Sequence, residues 1–397
     1  MERTAVDQKP ADQKAVDPKA VDLVRRALAH LPAKGTDQAP STMEQPVEAY
    51  LDVGRFHHEV DRIFRELPLA MALSLEVPTP GSYVSVEVMG TPVLLTRDGA
   101  GRPRAFLNVC RHRGAVLCEP GAGLRSRFTC PYHGWTYTLE GELAGIFGAS
   151  AFGEVDREGR GLTELPCAER SGLVWASLNP AATFDIDEWL GDFAAELDTL
   201  DLAHWHLIDQ RELVGPPGWK VAWDGYLESY HHRWVHPQTV GKHTIPNLML
   251  HDSYGPHQRI VFARHELADL VGLPESEWQD PGQYIRIIHS GFPNLSISGV
   301  LGDHALVTQL YPGPTIATTV TRQTVLAARA AATPEEHRVS AAFSEMVLTA
   351  VRHEDYAVGA RIQAALESRA NRTFLFGRNE IALQHYHAWV ARFAESR

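Results

Sequence analysis

Short apolar-rich runs separated by turn residues dominate residues 81–180. The clearest are YVSVEVMG, TPVLLTRDG, RAFLNVC and GLVWASLNP, and Gly, Pro and Asp residues separate them. Short runs of this kind bounded by turn residues are typical of β-strands. The pattern therefore predicts an all-β segment.

Helical and strand patterns mix after residue 185. IDEWLGDFAAELDTL, residues 334–368 and the final EIALQHYHAWVARFAESR have helical spacing, whereas GPHQRIVFARH, LSISGVLGDHALVTQLYPG and IATTVTRQTVLAARA have the pattern of an antiparallel sheet. We predict an α+β protein in which a small all-β domain (78–180) precedes a larger domain of antiparallel sheet and helices (181–397). Residues 41–77 are expected to form a helical part of the larger domain.

The first 40 residues differ from the rest in composition. AVDQKPADQKAVDPKAVD is an imperfect repeat with almost no bulky apolar side chains, so it cannot bury enough surface to fold alone. Residues 20–31 have helical spacing and are expected to dock on the body. We predict that 1–40 is a flexible tail with one short helix.

Overall composition narrows the class of protein. A chain of 397 residues favours two domains, and a formal charge of −12 argues against a nucleic-acid surface. No apolar run approaches the length of a membrane span and the N-terminus has no apolar signal region, so we expect a cytoplasmic protein. Four cysteines are too few for a disulfide framework, and clustered cysteines in such a protein are expected to be metal ligands or catalytic groups.

Three of those cysteines lie in VCRHRGAVLCEPGAGLRSRFTCPYHGW, residues 109–135. Cys110 and His112 form one short clip, and Cys130 and His133 form a second one. Three interpretations fit: a structural zinc site, although the order of ligands is unusual for one, a packed core without metal, or a [2Fe–2S] cluster held by two thiolates and two imidazoles. Cys118 and Cys167 lie outside the clips and are predicted to be bystanders.

WKVAWDGYLESYHHRWVHP, residues 219–237, holds three histidines and two acids. Two histidines and one carboxylate are the ligand set that leaves open positions on Fe(II). His232 and His236 share a face of a regular helix, but Pro237 disfavours helical geometry at His236, so spacing leaves the pair open.

A third ligand is expected from FSEMVLTAVRHEDYAVGARIQAALES. Its apolar stripe of valine, isoleucine and leucine continues through Asp355, whereas Glu354 lies 100° away on a regular helix. A buried carboxylate needs a cation, so Asp355 is either a metal ligand or the partner of Arg352 or Arg361.

CRHRG and CPYHGW together resemble the Rieske motif of the large (alpha) terminal oxygenase subunits of the ring-hydroxylating, non-haem iron oxygenases. WKVAWDGYLESYHHRWVHP is similar to their iron-binding helix, and the likeness covers about residues 41–395. It implies a helix-grip-like catalytic domain and a Rieske [2Fe–2S] cluster on Cys110, His112, Cys130 and His133. It also implies a mononuclear Fe(II) on His231, His236 and Asp355.

Two acids of the same stretch receive roles from this resemblance. Glu228 falls on the acid that links the iron site to the Rieske cluster of a neighbouring subunit, where many relatives have Asp. Asp224 is expected to be a further catalytic acid, although Gly225 follows it where relatives often have Asn.

The resemblance implies hydroxylation of a small organic substrate with O₂, as monohydroxylation, N- or O-dealkylation or aromatic cis-dihydroxylation. The chain has no G-x-G-x-x-G fingerprint, so an NAD(P)H-dependent reductase, with or without a ferredoxin, is the implied electron source. A homotrimer is implied, with no nucleic-acid or membrane partner. The alternatives are a Rieske electron carrier without oxygenase activity and a zinc-organised binding protein.

Overall fold

A seven-stranded antiparallel sheet is the centre of the larger domain in the computed structural model, which describes residues 18–300 and 302–395. Residues 1–17, which hold most of the predicted tail, lie outside the described residues. The strands run across the sheet in the order His206–Gly215, Thr319–Ala327, His304–Pro312, Leu295–Val300, Ile285–Gly291, His257–Arg264 and Thr244–Tyr254. Every neighbouring pair is antiparallel, as the sequence pattern predicted.

The central strands of this sheet are buried on both faces, whereas the edge strand His206–Gly215 is largely exposed. Ile260 and Phe262 belong to a core that includes side chains of the helices Trp219–Tyr226 and Pro334–Leu348, whereas Val261 and Ala263 belong to a second core on the opposite face. Successive side chains of a strand point to opposite faces, so a strand covered on both sides reads as the continuous apolar run IVFA. The docked helix Pro18–His30 covers part of the second face through Leu23, Val24 and Ala27.

Helices surround the sheet and the segments that lead to it. Their bounds are Pro18–His30, Val53–Glu59, Ala149–Phe152, Ile186–Leu190, Phe193–Asp198, Trp219–Tyr226, His232–Val235, Pro334–Leu348, Tyr356–Leu366 and Ile381–Glu395. Two π-helical segments, Val60–Phe64 and Thr349–Asp355, extend helices that precede them. No helix of the described ranges is long and apolar enough to cross a membrane.

Short antiparallel strands make up residues 82–176, again as predicted. One sheet has the order Glu164–Leu165, Pro103–Leu107, Thr91–Arg97, Ser82–Val88 and Gly121–Leu124; a second has Phe128–Thr129, Thr136–Tyr137 and Leu143–Gly145. The two cysteine–histidine clips lie in loops beside these strands.

The chain before residue 78 is tied to later elements by backbone pairing. Met43–Pro46 pairs with Thr373–Phe376, and Leu69–Leu73 pairs with Leu173–Ala176, which in turn pairs with Cys167–Arg170. The Ala70 carbonyl accepts hydrogen bonds from the side chains of Asn294, Gln309 and Tyr311 on the large sheet. These contacts fix the β domain against the larger domain.

Candidate metal centres

The two cysteine–histidine clips fold as similar tight turns. The Gly114 N–H donates to the Cys110 carbonyl (2.9 Å), and the Gly134 N–H donates to the Cys130 carbonyl (3.0 Å). Gly114 and Gly134 have φ values of +79° and +69°, which glycine adopts without strain. The two clips therefore share one turn geometry.

Four potential ligands lie on these two turns. Cys110 and Cys130 are buried, at 2% and 3% exposure, and neither forms a disulfide. The His112 and His133 rings have centroids 4.7 Å apart, and Trp135 stacks on His112 at 4.9 Å. His133 Nδ1 is buried without a hydrogen-bond partner among the described residues. Because a buried imidazole nitrogen needs a partner, this orphaned atom fits a metal-ligating role.

The Tyr137 hydroxyl contacts the first clip. Its oxygen accepts from the Arg111 N–H (2.9 Å), and its hydroxyl lies 3.3 Å from Cys110 Sγ. Burial raises the pKa of Cys110 and the neighbouring Cys130 adds to this, although the Tyr137 hydrogen bond opposes them. A bound metal replaces such thiol protons, and the Tyr137 hydroxyl can then donate to the thiolate.

The two remaining cysteines are not part of the clips, although Cys118 belongs to the same buried apolar cluster as Cys110 and Cys130. Cys118 is buried, and its backbone N–H and carbonyl both bond to the side chain of Asn108. Burial raises the pKa of Cys167 to about 12, which is the behaviour of an unreactive core thiol. Sequence reasoning missed Asn108, whose role depends on a contact across the loop that no local pattern records.

His231, His236 and Asp355 converge on one point of the larger domain. The two Nε2 atoms are 3.2 Å apart, and Asp355 Oδ1 lies 3.5 Å from that of His231 and 2.9 Å from that of His236. Among the described parts of the chain, no other group of three or more His, Cys, Asp and Glu residues has ligand atoms that all lie within 4.8 Å of one another. Two imidazoles and one carboxylate match the ligand set of non-haem Fe(II) sites.

Carboxylates hold both imidazoles in the orientation that a metal would require. Glu228 accepts from His231 Nδ1 and from the His231 backbone N–H, and Glu354 lies 2.7 Å from His236 Nδ1. Each ring therefore turns Nε2 toward the common point. Ligating histidines generally bond through the other ring nitrogen to such a partner, which fixes the tautomer. Burial lowers the pKa of His231, but Glu228 and Asp355 outweigh it and raise that pKa to about 10.

The choice between His231 and His232 depends on a break in the helix. The first helix ends at Tyr226, and His231 is the residue that precedes the short helix His232–Val235. His232 instead points its Nδ1 at Thr244 Oγ1, 3.1 Å away, and burial lowers its pKa. A regular helix would have paired His232 with His236, so the break explains why spacing alone left the pair open.

Glu354 and Asp355 lie at the end of a π-helical turn. Thr349–Asp355 is wound as a π-helix between two α-helical segments. This wider winding lets consecutive residues face one site, since Asp355 contacts both imidazoles while Glu354 contacts the far side of His236. The 100° rotation of a regular helix did not reveal Glu354 as part of the site.

Asp224 lies beside the cluster but belongs to a separate network. Its carboxylate accepts from the Tyr50 hydroxyl (2.8 Å) and lies 2.7 Å from His387 Nε2. The same helix is held by an ion pair between Lys220 and Glu59, which are 3% and 0% exposed. These bonds fix the helix that leads to His231, so Asp224 is not brought among the convergent atoms.

Two cavities adjoin the histidine cluster. Glu228, His231 and Asp355 line both. One, of about 670 Å³, includes Ile362 and Leu375 in its wall. The other, of about 370 Å³, is lined by His236 as well, together with apolar side chains. A largely apolar pocket with a few convergent polar groups is the usual form of a small-molecule site.

Comparison with known proteins identifies both halves of this arrangement. Residues 68–154 match the Rieske [2Fe–2S] domain, and residues 202–396 match the catalytic domain of the ring-hydroxylating alpha subunit. The first match contains both cysteine–histidine clips, and the second contains His231, His236 and Asp355.

Curated relatives include mono- and dioxygenases. The glycine betaine monooxygenase oxygenase subunit of Chromohalobacter salexigens is 32% identical over 61% of this chain and 52% of its own length. The carnitine monooxygenase oxygenase subunit of Escherichia coli is 32% identical over 48% of this chain and 52% of its own. The large oxygenase component of a Ralstonia naphthalene 1,2-dioxygenase system is 34% identical over 47% and 43%. The chain spans about half the length of the curated relatives it matches.

Solved structures share the whole fold. A quaternary ammonium Rieske monooxygenase with a bound inhibitor aligns with a TM-score of 0.78 at 22% identity and covers 91% of this chain and 100% of its own. Naphthalene 1,2-dioxygenase from Rhodococcus, bound to indole, aligns with a TM-score of 0.73 at 22% identity over 96% and 100%. These structures confirm the predicted order of a β domain followed by a larger domain of antiparallel sheet and helices.

Proposed function

This chain belongs to the family of Rieske-type ring-hydroxylating oxygenase alpha subunits, and on that premise we propose that it is a terminal oxygenase acting on a small organic substrate. The observation that carries the proposal is the convergence of His231, His236 and Asp355, with a carboxylate behind each imidazole. We assign these three residues as the ligands of the mononuclear iron. They leave other coordination positions open, which a purely structural site does not require.

Cys110 and Cys130 are assigned to one iron of the Rieske cluster, and His112 and His133 to the other. The paired turns, the buried thiols and the orphaned His133 Nδ1 support this assignment. When bound, the cluster supplies one-electron transfer and the mononuclear Fe(II) supplies redox chemistry with O₂. We further propose that residues 78–180 form the Rieske domain, and that residues 41–77 and 181–397 together form the catalytic domain.

The protein's own residues orient ligands and exclude water. Glu228 and Glu354 hold the two imidazoles, while the apolar wall of the 370 Å³ cavity would surround the substrate beside them. Tyr50 and His387 bond Asp224, and we propose that Asp224 acts by positioning the helix that leads to His231. This differs from the catalytic role expected for Asp224 from sequence.

Glu228 is proposed to connect the iron site to the Rieske cluster of a neighbouring copy in a homotrimer. Exposed aromatic side chains surround both partners of this contact: Tyr132, Phe147 and Phe152 near the clips, and Tyr230 and Trp234 near Glu228. Exposed apolar groups of this size, gathered in patches, mark interaction surfaces. An NAD(P)H-dependent reductase, directly or through a ferredoxin, is the proposed electron donor.

The iron content of the purified protein tests this function. The oxygenase requires about three irons per chain and a Rieske-type EPR signal after reduction with dithionite, whereas a Rieske carrier holds about two irons. Asp355→Ala should lose about one iron while it keeps the EPR signal. A colourless protein with stoichiometric zinc would refute the proposal, and an Asp355→Ala protein with unchanged iron content would refute the assignment of the ligand.

A further inference from the structure

Arg286 places a guanidinium group in the wall of the cavity that adjoins the iron ligands. The cavity is lined by Arg286 and Arg264 as well as by His236 and Asp355, and its remaining wall is mainly apolar, with Phe262 among the contributors. Its acids, Glu228 and Asp355, already bond to the histidines. Neither arginine of the cavity is therefore paired with the acids that bond to the histidines.

One edge of the Arg286 guanidinium is already bonded, and the other has no partner among the described residues. Nη1 donates to the backbone carbonyls of Gly282 and Ile285. Nε and Nη2 have no hydrogen-bond partner within 18–300 and 302–395, and no acid in those ranges forms an ion pair with Arg286. A partly buried guanidinium without a carboxylate is unusual, because arginine inside a protein is normally paired.

The Nε–Nη2 edge of Arg286 lies near the backbone of Gly302. A methyl group at Gly302 would lie 3.1 Å from the Gly299 carbonyl oxygen, 3.6 Å from Nε and 3.7 Å from Nη2, so glycine keeps a side chain away from this edge. The two N–H groups of such an edge form the fork that binds a carboxylate through two parallel hydrogen bonds. Anchoring of Nη1 keeps the fork in place before a ligand arrives.

Charges of both signs lie near Arg286. Arg264, on the neighbouring strand, is already paired with Glu266 at 3.2 Å. Burial and Arg264 lower the pKa of Arg286 to about 10, whereas Glu266, Asp280 and Asp303 act in the opposite direction, so the group stays charged at neutral pH but is destabilised by its surroundings. An anionic group bound at the fork would offset both effects.

We propose that Arg286 is a specificity-determining residue that selects substrates carrying a carboxylate attached to an apolar body. The inference rests on the proposed function, since it assumes that the 370 Å³ cavity beside His231, His236 and Asp355 receives the substrate. The apolar wall would take the body of the substrate, and the Nε–Nη2 edge would take its carboxylate. The iron ligands would then face the portion between the two.

Isothermal titration calorimetry on the oxidised holoenzyme tests this assignment without turnover. The probes are the ω-phenylalkanoates from benzoate to 4-phenylbutyrate, each compared with its primary amide, because the series varies the distance from ring to carboxylate. We expect at least one acid to bind about tenfold or more tightly than its amide, the size of a charge-assisted hydrogen-bonded contact.

Arg286→Gln should abolish that preference while the amide retains its affinity, and the retained amide binding shows that the cavity is still folded. Arg338→Gln, which removes an arginine whose side chain is 71% exposed, is the matched control and should keep the preference. The proposal is overturned if no acid is preferred to its amide, or if the preference survives in Arg286→Gln. Iron content and the Rieske EPR signal of the same samples report separately on the proposed function.

Discussion

A buried neutral histidine makes the stability of this protein dependent on pH. His257 is 0% exposed, its ring stacks on Phe193 at 4.9 Å, and both ring nitrogens are used. Nε2 donates to the Trp189 carbonyl (3.0 Å), and Nδ1 accepts from the Phe292 N–H (3.1 Å). Protonation of Nδ1 would break the second bond and bury a charge, and burial accordingly lowers the pKa of His257 to about 4.

The magnitude follows from the difference between the folded and unfolded pKa values. In the unfolded chain an imidazole has a pKa of about 6.5, so the unfolded state binds more protons than the folded state between the two values. The contribution is therefore fully present above about pH 6.5 and is lost as the pH falls toward 4. Between pH 7.5 and pH 5 the loss from this residue is about 2 kcal/mol.

Urea unfolding at those two pH values measures this contribution. His257→Gln retains one donor and one acceptor but does not titrate, so its loss of stability between pH 7.5 and 5 should be about 2 kcal/mol smaller than that of the unmodified protein. His337→Gln removes an exposed histidine and should reproduce the unmodified protein. Equal pH dependence in His257→Gln and the unmodified protein would refute the reasoning.

Three further substitutions test the contacts around the metal sites. Glu354→Gln removes the charge behind His236 Nδ1 and should weaken iron binding about 10- to 100-fold in chelator competition, whereas unchanged affinity would show that this carboxylate does not support the ligand. Glu59→Gln leaves Lys220 buried without its counter-charge and should lower the free energy of unfolding in urea by about 3–5 kcal/mol; a change below about 1 kcal/mol would contradict the buried ion pair. Tyr137→Phe removes the hydroxyl beside Cys110 Sγ and should lower the reduction potential of the cluster in a redox titration, and an unchanged potential would exclude a hydrogen bond to the thiolate.

Local patterns predicted the elements of this fold better than the contacts between them. Short apolar-rich runs between turn residues identified the strands of residues 82–176, and the motifs CRHRG and CPYHGW placed the two clips. The strand Met43–Pro46 was not predicted, because its partner Thr373–Phe376 lies at the other end of the sequence. Pairing between strands so far apart in the sequence leaves no pattern in a short stretch of residues.

The site shows the same limit in finer detail. Helical periodicity identified Asp355 but left Glu354 out, because the periodicity of an α-helix does not apply through the π-helical turn Thr349–Asp355. Spacing could not decide between His231 and His232, because the outcome depends on where the helix ends. In both cases the sequence indicated the kind of side chains at the site but not the backbone geometry that positions them.

The bonds of Asp224 also have a consequence for how the protein is made. Asp224 joins Tyr50, which lies 174 residues earlier, to His387, which lies 163 residues later. A ribosome must therefore synthesise much of the chain beyond His231 before this network can close around the helix that precedes it. Because contacts of such long range form late, we expect nascent chains that end before residue 387 to bind iron weakly at the mononuclear site, although their cysteine–histidine clips are already complete.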